Sequence, residues 1–357
     1  MRCNMVTFKR GFGILYKYSL TFKCRIYFLI IMKCDNGSLA GIGMTLVTGG
    51  AGFIGSHVVD KLITNGSQVK IVDNLSAGSI SNLSLCTDNK NFQFINADLN
   101  NPDSLCELLK DAETVFHIAA DPEVRTGFKQ PEISYRENIK NTFYLLEQIR
   151  KSNVKTILFT SSSTVYGEPD IIPTSENYGP LIPISPYGAS KLACEALISS
   201  YCHNYGMKGQ IFRLANIVGA RSKHGVIWDF VSKLRINKKE LEVLGDGKQS
   251  KSYLHVSDCV DCFFFCLSAQ RKTIEIFNVG NDDRIDVISI AKIVNNNMKL
   301  KDVDIHTTGG VDNGKGWMGD VKTMHLDISK LKKMGWNPRL SSNEAINLAT
   351  KELLMTA

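Results

Sequence analysis

One run of seven residues restricts this chain more than any other. Gly49-Gly50-Ala51-Gly52-Phe53-Ile54-Gly55 follows directly on the β-rich apolar tetrad Thr45-Leu46-Val47-Thr48. The run satisfies both the GxGxxG and the GxxGxxG spacings. Glycines there let the backbone turn tightly and approach a pyrophosphate, whose charge the N-terminus of a following helix favours. The next residues supply that helix, with Val58, Val59, Leu62 and Ile63 on one face and a stop at Asn65-Gly66. Alone, a glycine motif says little; between a strand and a helix it predicts a dinucleotide site. The second strand, Val69–Val72, runs into Asp73 eighteen residues after Gly55. A carboxylate there can take both ribose hydroxyls and repels a 2′-phosphate, so NAD is expected rather than NADP.

The strand–helix alternation continues. Apolar, β-rich runs at Phe92–Ile95, Thr114–Ile118, Ile157–Thr160 and Ile211–Leu214 are separated by helical stretches. Strands separated by helices pair in parallel and are covered on both faces, which predicts an α/β, doubly wound sheet. Beyond Leu214 the pattern becomes irregular, and Phe277-Asn278-Val279 is expected to return to the sheet. Residues 44–215, with a return segment near 255–280, are therefore expected to form the dinucleotide-binding domain, and residues 216–357 mainly a smaller lobe packed on it.

Composition sets the limits. The 357 residues are 43% hydrophobic and 22% charged, values of a globular chain that exclude a disordered or coiled-coil protein. Residues 1–43 carry seven Lys and Arg against Asp35 alone, so all but one unit of the formal +7 lies there. The nearly neutral remainder gives no footprint for nucleic acid, and no apolar run in it predicts a membrane span. The basic extension 1–43 is expected to be disordered or untranslated, with Met44 as the natural start; a membrane-surface anchor and a signal sequence are the alternatives. Ten cysteines without a secretory spacing are expected to be reduced thiols, which suits the cytoplasm.

Tyr187 and Lys191 are four apart and so share one face of a helix that Pro186 can start. Tyrosine, with an ordinary pKa of ~10, is a poor base at neutral pH unless a cation such as the Lys191 ammonium stabilises its phenolate. Ser161-Ser162-Ser163 closes the fifth strand, and strand ends are where open α/β sheets bind ligands. A serine hydroxyl there can reach the substrate oxygen that Tyr187 deprotonates. Asp98, after the third strand, either contacts adenine or caps a helix; the residues alone leave both open. His117 reads as a satisfied core residue. His255, Cys259, Cys262 and Cys266 share a helical spacing, but the Phe263-Phe264-Phe265 run among them points to a buried face rather than zinc, and no metal is expected.

Taken together, these segments resemble the extended short-chain dehydrogenase/reductases, in the NAD-dependent epimerase/dehydratase group. The resemblance runs from Met44 to about Pro338. It rests on the glycine run, Val72-Asp73-Asn74, Ala97-Asp98-Leu99, His117-Ile118-Ala119-Ala120, Asn138, Ser161 to Gly167, Ser185-Pro186-Tyr187 with Lys191, Arg213-Leu214-Ala215-Asn216, Tyr253-Leu254-His255-Val256 and Gly335-Trp336-Asn337-Pro338.

The resemblance implies a Rossmann-type sheet with a smaller C-terminal α/β substrate lobe, and a homodimer. NAD is implied to touch Gly49, Gly52, Phe53, Ile54, Gly55, Asp73, Asn74, Asp98, Leu99, Ala119, Ala120, Asn138, Tyr187 and Lys191. Tyr187 is implied as base, Lys191 as its partner and Ser162 as hydroxyl donor, with Ser162, Ser163, Asn216 and Lys251 on a nucleotide sugar. Ser163-Thr164 stand where dehydratases and decarboxylases of the group carry acids, so C4 epimerisation of a UDP-hexose is expected. The alternatives are a uronic or N-acetyl sugar, a net-redox enzyme, and a non-catalytic NAD sensor. Lys251 replaces a common arginine, and Trp317 stands near a second one; it either stacks on a base or sugar or packs, and packing is expected.

Overall fold

Three strands meet where the chain first turns back. In the computed structural model, which describes residues 42–101 and 103–356, Thr45–Thr48 (β1) pairs in parallel with Val69–Asp73 (β2) on one side and Thr114–His117 (β4) on the other. Phe92–Asn96 (β3) lies outside β2. Thr156–Ser162 (β5) and Lys208–Leu214 (β6) follow β4, and a seventh strand, Ile274–Val279, closes the edge beside β6. The sheet is wholly parallel, and its strand order reverses beside β1, the position at which doubly wound sheets open a crevice. All four residues of β1 and of β4 are buried, because helices cover both faces; this is why the strands read as unbroken apolar runs.

Register decides what reaches the crevice. His117 at the end of β4 pairs with Phe159, yet β5 continues against β6 through Thr160, Ser161 and Ser162. Two serines thus stand proud of the neighbouring strand end. The helix Pro186–Tyr205 packs behind them. Ser185 caps it by accepting a hydrogen bond from the Gly188 amide at 3.1 Å, and Pro186 occupies the first turn.

One apolar core, including Leu105, Leu109, Leu145, Ile149 and Ile198, fills the space beneath the helices on one face of the sheet. A second core, with Ile227, Phe230, Leu241, Ile290, Val294 and Ile346, belongs to the C-terminal part. Short strands organise that part: Asn216–Val218 pairs with Tyr253–His255, Glu240–Val243 with Asp304–Thr307, and Ser250–Lys251 with Ile285–Asp286 and Thr323–Met324. Among the described residues no helix is long and apolar enough to cross a membrane. The expectations for residues 1–41 lie outside the described residues.

Candidate active site

The glycine run forms the floor of a cleft of 730 Å³ along the C-terminal ends of the strands. Gly49 has a φ of +69°, and a Cβ there would lie 2.7 Å from the backbone of Ala119, so the loop crosses directly over the end of β4. At Gly55 a Cβ would run into the Gly49 carbonyl oxygen. The helix Phe53–Thr64 starts from Gly52 without a side-chain cap, leaving its first N–H groups for an anion. Asp73 is buried; its Oδ2 accepts from the Ala51 amide at 2.9 Å and its Oδ1 from the Leu75 amide at 2.8 Å. Each carboxylate oxygen can accept again, so a ribose diol still finds two acceptors. Asp98 accepts from Asn74 Nδ2 at 3.1 Å and from the Asn100 amide at 2.8 Å. Burial pushes its pKa up, but these donors outweigh that and hold it below the ordinary value. A loop that only glycine permits, a helix start and a paired acid fit a dinucleotide.

Across the cleft stand Ser162 and Tyr187, and the serine hydroxyl pulls the pKa of the phenol down. The Thr164 amide and hydroxyl both donate to Ser162 Oγ, at 3.2 and 2.9 Å, which leaves the serine's own proton for another acceptor. Thr164 is a positioning residue that sequence reading missed. Lys191 is buried and donates from Nζ to the Thr160 carbonyl at 2.9 Å, with Nζ 5.8 Å from the centre of the Tyr187 ring. Burial lowers its pKa to about 8, opposed by Cys194, Glu195 and Asp121, and it remains a cation at neutral pH. Tyr187 is pushed above its ordinary pKa by burial and then by the charge of Asp121; Ser162 pulls the other way.

Two further features shape this end. Ser161 also borders the cleft, and its hydroxyl donates to Glu195, which is paired with buried Arg213 at 2.8 Å. This places an ion pair behind the serine strand. Asp121, on the loop after β4, borders the cleft, and its Oδ2 is buried without a partner. Burial first, then Glu123 and Glu137, raise its pKa, while the Glu123 amide and Lys191 lower it. No sequence pattern marked it, because its effect on Tyr187 acts through space.

Every residue expected to touch NAD or substrate borders this cleft except Asn138. Asn138 is buried behind it: Oδ1 accepts from the Asp121 amide at 3.1 Å and Nδ2 donates to Ser190 Oγ at 2.8 Å. Ser190 in turn donates to the Tyr187 carbonyl, so Asn138 ties the loop after β4 to the catalytic helix. Asn216 Nδ2 donates to the Ser252 carbonyl, and Lys251 Nζ lies 2.7 Å from Asp320. Trp317 borders the cleft, with Arg125 and Lys251 over its ring.

His117 bridges Thr48 and Thr142 at 2.8 and 2.9 Å; burial lowers its pKa to about 3 and keeps it neutral. His255 caps the helix Val256–Ala269 and contacts Glu352 at 3.1 Å, while Cys259, Cys262 and Cys266 are buried thiols.

The glycine cradle and Ser162, Tyr187 and Lys191 thus border one cleft. Residues 45–280 match the NAD dependent epimerase/dehydratase family, and the chain belongs to it. It is 31% identical over 311 residues to the UDP-glucose 4-epimerase of Mycolicibacterium smegmatis, covering 85% of this chain and 96% of that protein. A crystal structure of UDP-galactose 4-epimerase is similar with a TM-score of 0.78 and 40% identity, over 88% of this chain and 99% of that one. The UDP-glucuronic acid 4-epimerase of Bacillus cereus, solved with UDP-glucuronic acid and NAD, is similar with a TM-score of 0.80 and 29% identity, over 88% and 100%.

Proposed function

We propose that this protein inverts C4 of a UDP-hexose, interconverting UDP-glucose and UDP-galactose through a 4-keto sugar. The observation that carries this reading is that Ser162, Tyr187 and Lys191 border the same cleft as the dinucleotide cradle, with Lys191 fixed behind by Thr160. NAD, when bound, supplies the hydride acceptor for C4 and returns the hydride. Tyr187 takes the C4 hydroxyl proton and later gives it back. Ser162 holds the same oxygen, and Ser163 adds a second hydroxyl. Lys191 favours the phenolate by its charge. Gly49, Gly52 and Gly55, with the helix start at Phe53 and Ile54, hold the NAD pyrophosphate. Asp73 and Asn74 hold the ribose, Asp98 and Leu99 face the adenine, and Ala119 and Ala120 wall the cofactor. Asn216 and Lys251 meet the substrate's diphosphate. Residues 44–215 with the return segment serve NAD, and residues 216–357 mainly serve the sugar nucleotide.

The choice of inversion over elimination rests on Ser163-Thr164. Neither offers the carboxylate that moving a proton at a neighbouring carbon requires, whereas oxidation and reduction at C4 need only the tyrosine. The protein works in the cytoplasm as a homodimer; sedimentation of the purified protein at twice the chain mass is the expected result. UDP-glucose, UDP-N-acetylglucosamine and UDP-glucuronate, offered separately and followed by sugar NMR, test the substrate. Inversion fastest with UDP-glucose is expected. Inversion of another sugar alone would correct the substrate, and NADH release without inversion would replace the reading by net oxidation.

A further inference from the structure

Ser161 lies between the two residues of β5 that the site uses. Thr160, before it, accepts from Lys191 Nζ at 2.9 Å, and Ser162, after it, borders the cleft with Tyr187. Ser161 itself donates from Oγ to Glu195 Oε1. Glu195 lies on the helix Pro186–Tyr205, one turn beyond Lys191 and two beyond Tyr187, so the three share a face. Behind Glu195 stands Arg213 of β6. Its Nη2 donates to Oε2 at 2.8 Å, and its Nε lies 3.1 and 3.2 Å from the two carboxylate oxygens. Its Nη1 donates to Tyr166 Oη at 3.0 Å, and that hydroxyl donates to Asn278 Oδ1 at 2.7 Å. All three guanidinium nitrogens and both carboxylate oxygens are thus engaged. Ser161, Glu195 and Arg213 are 3%, 4% and 3% exposed.

A buried ion pair is weak evidence for stability. Desolvation offsets the attraction of the charges, and apolar side chains of similar volume often serve the fold as well. What a saturated pair does supply is a fixed geometry. Neither Glu195 nor Arg213 borders the cleft, and Ser161 is the residue through which the pair grips the strand end. We propose, on the Ser162–Tyr187–Lys191 reading of the cleft, that Glu195 and Arg213 are positioning residues. Through Ser161 they set the catalytic helix against the end of β5, and so fix Ser162, Tyr187 and Lys191 about the reacting oxygen. Misplacing reacting groups by about 1 Å can cost about 10²-fold in rate, so such a role shows in kcat before it shows in binding. The carboxylate has a second effect in the same direction: burial lowers the pKa of Lys191, and Glu195 is among the groups that oppose it.

The test compares the full-length protein with Ser161→Ala, with the apolar pair Glu195→Leu/Arg213→Met, and with all three changes combined. The substrate is whichever of the three nucleotide sugars named above the wild type inverts fastest. The values of kcat and KM, the NAD retained after gel filtration and the urea midpoint are measured on each. Ser161→Ala is expected to lower kcat about 10-fold, the rate equivalent of one hydrogen bond, with KM and NAD content unchanged. The apolar pair is expected to keep a urea midpoint no lower than that of the wild type and to lose kcat at least as far. Adding Ser161→Ala to the pair lowers kcat no further, because both changes break the same contact. If the apolar pair fails to fold, Ser161→Ala carries the test. Wild-type kcat in Ser161→Ala or in the folded apolar pair overturns this inference alone. A fall in kcat accompanied by loss of NAD or a matching rise in KM overturns it too, since that is general loosening of the cleft. A wild type that inverts none of the three sugars overturns the inversion reading together with this inference.

Discussion

Tyr187 sits where a phenolate is disfavoured. Burial and Asp121 push its pKa up, and the Ser162 hydroxyl pulls it down. A general base works as the anion, so each upward push shrinks the competent fraction at neutral pH. Ser162→Ala is therefore expected to lower kcat/KM about 10²-fold and to move its rise with pH to higher pH. A pH profile that stays in place would contradict the role given to Ser162. Tyr187→Phe is expected to lower kcat by about 10³-fold or more while NAD stays bound. Both residues, and Lys191, were legible in the sequence, because a four-residue helical spacing and a serine-rich strand end are local signals. Asp121 and Thr164 were not, since their work is done across space or through a neighbour's proton. Asn138 was legible as important, but its contacts are those of a tie behind the cleft.

The glycine turn shows what an element contributes that no single residue does. Gly55→Ala would drive a methyl group into the Gly49 carbonyl and part the helix start from β1. A loss of about 1–3 kcal/mol of stability is expected, together with loss of NAD on gel filtration. Urea unfolding and cofactor content measure the two, and normal NAD retention would contradict the cradle. The ends of β1 and β4 carry a second prediction. His117 is neutral in the fold, with a pKa of about 3 set first by burial and then by Lys191, against ~6.5 in the unfolded chain. His57 is likewise lowered to about 4, by burial and then Arg221. The folded state then binds fewer protons than the unfolded one below pH ~6.5. Stability is complete above that pH and lost as pH falls, and His117 alone accounts for about 2 kcal/mol by about pH 5. Urea midpoints that do not fall between about pH 7 and about pH 5 would contradict it. Apolar runs made the strands legible, but β5 was read only as Ile157–Thr160. Its last two serines are held by the long-range ladder with β6, which leaves no local trace.

At the scale of the molecule, ion pairs tie the helix behind the pyrophosphate cradle to later parts of the chain, and those parts to one another. Arg221 Nη2 lies 2.7 Å from Asp60, Lys61 3.2 Å from Asp261, and Arg339 bridges Asp258 and Asp261 at 2.6 and 2.7 Å. These ties set the two walls of the cleft against each other. The small sheets of that part, with strands of two to four residues, were illegible because so short a run has no measurable period. The surroundings of Trp317 were illegible for a related reason: its neighbours Arg125 and Lys251 are distant in sequence, and the fold brings them to its ring. The central claim is that hydride leaves and returns to C4 within one site. UDP-galactose carrying deuterium at C4, incubated with the purified protein without added NAD, tests it most directly. UDP-glucose with the deuterium still on C4 and no free NADH is the expected result. Deuterium lost to solvent, or carried off on released NADH, would contradict it.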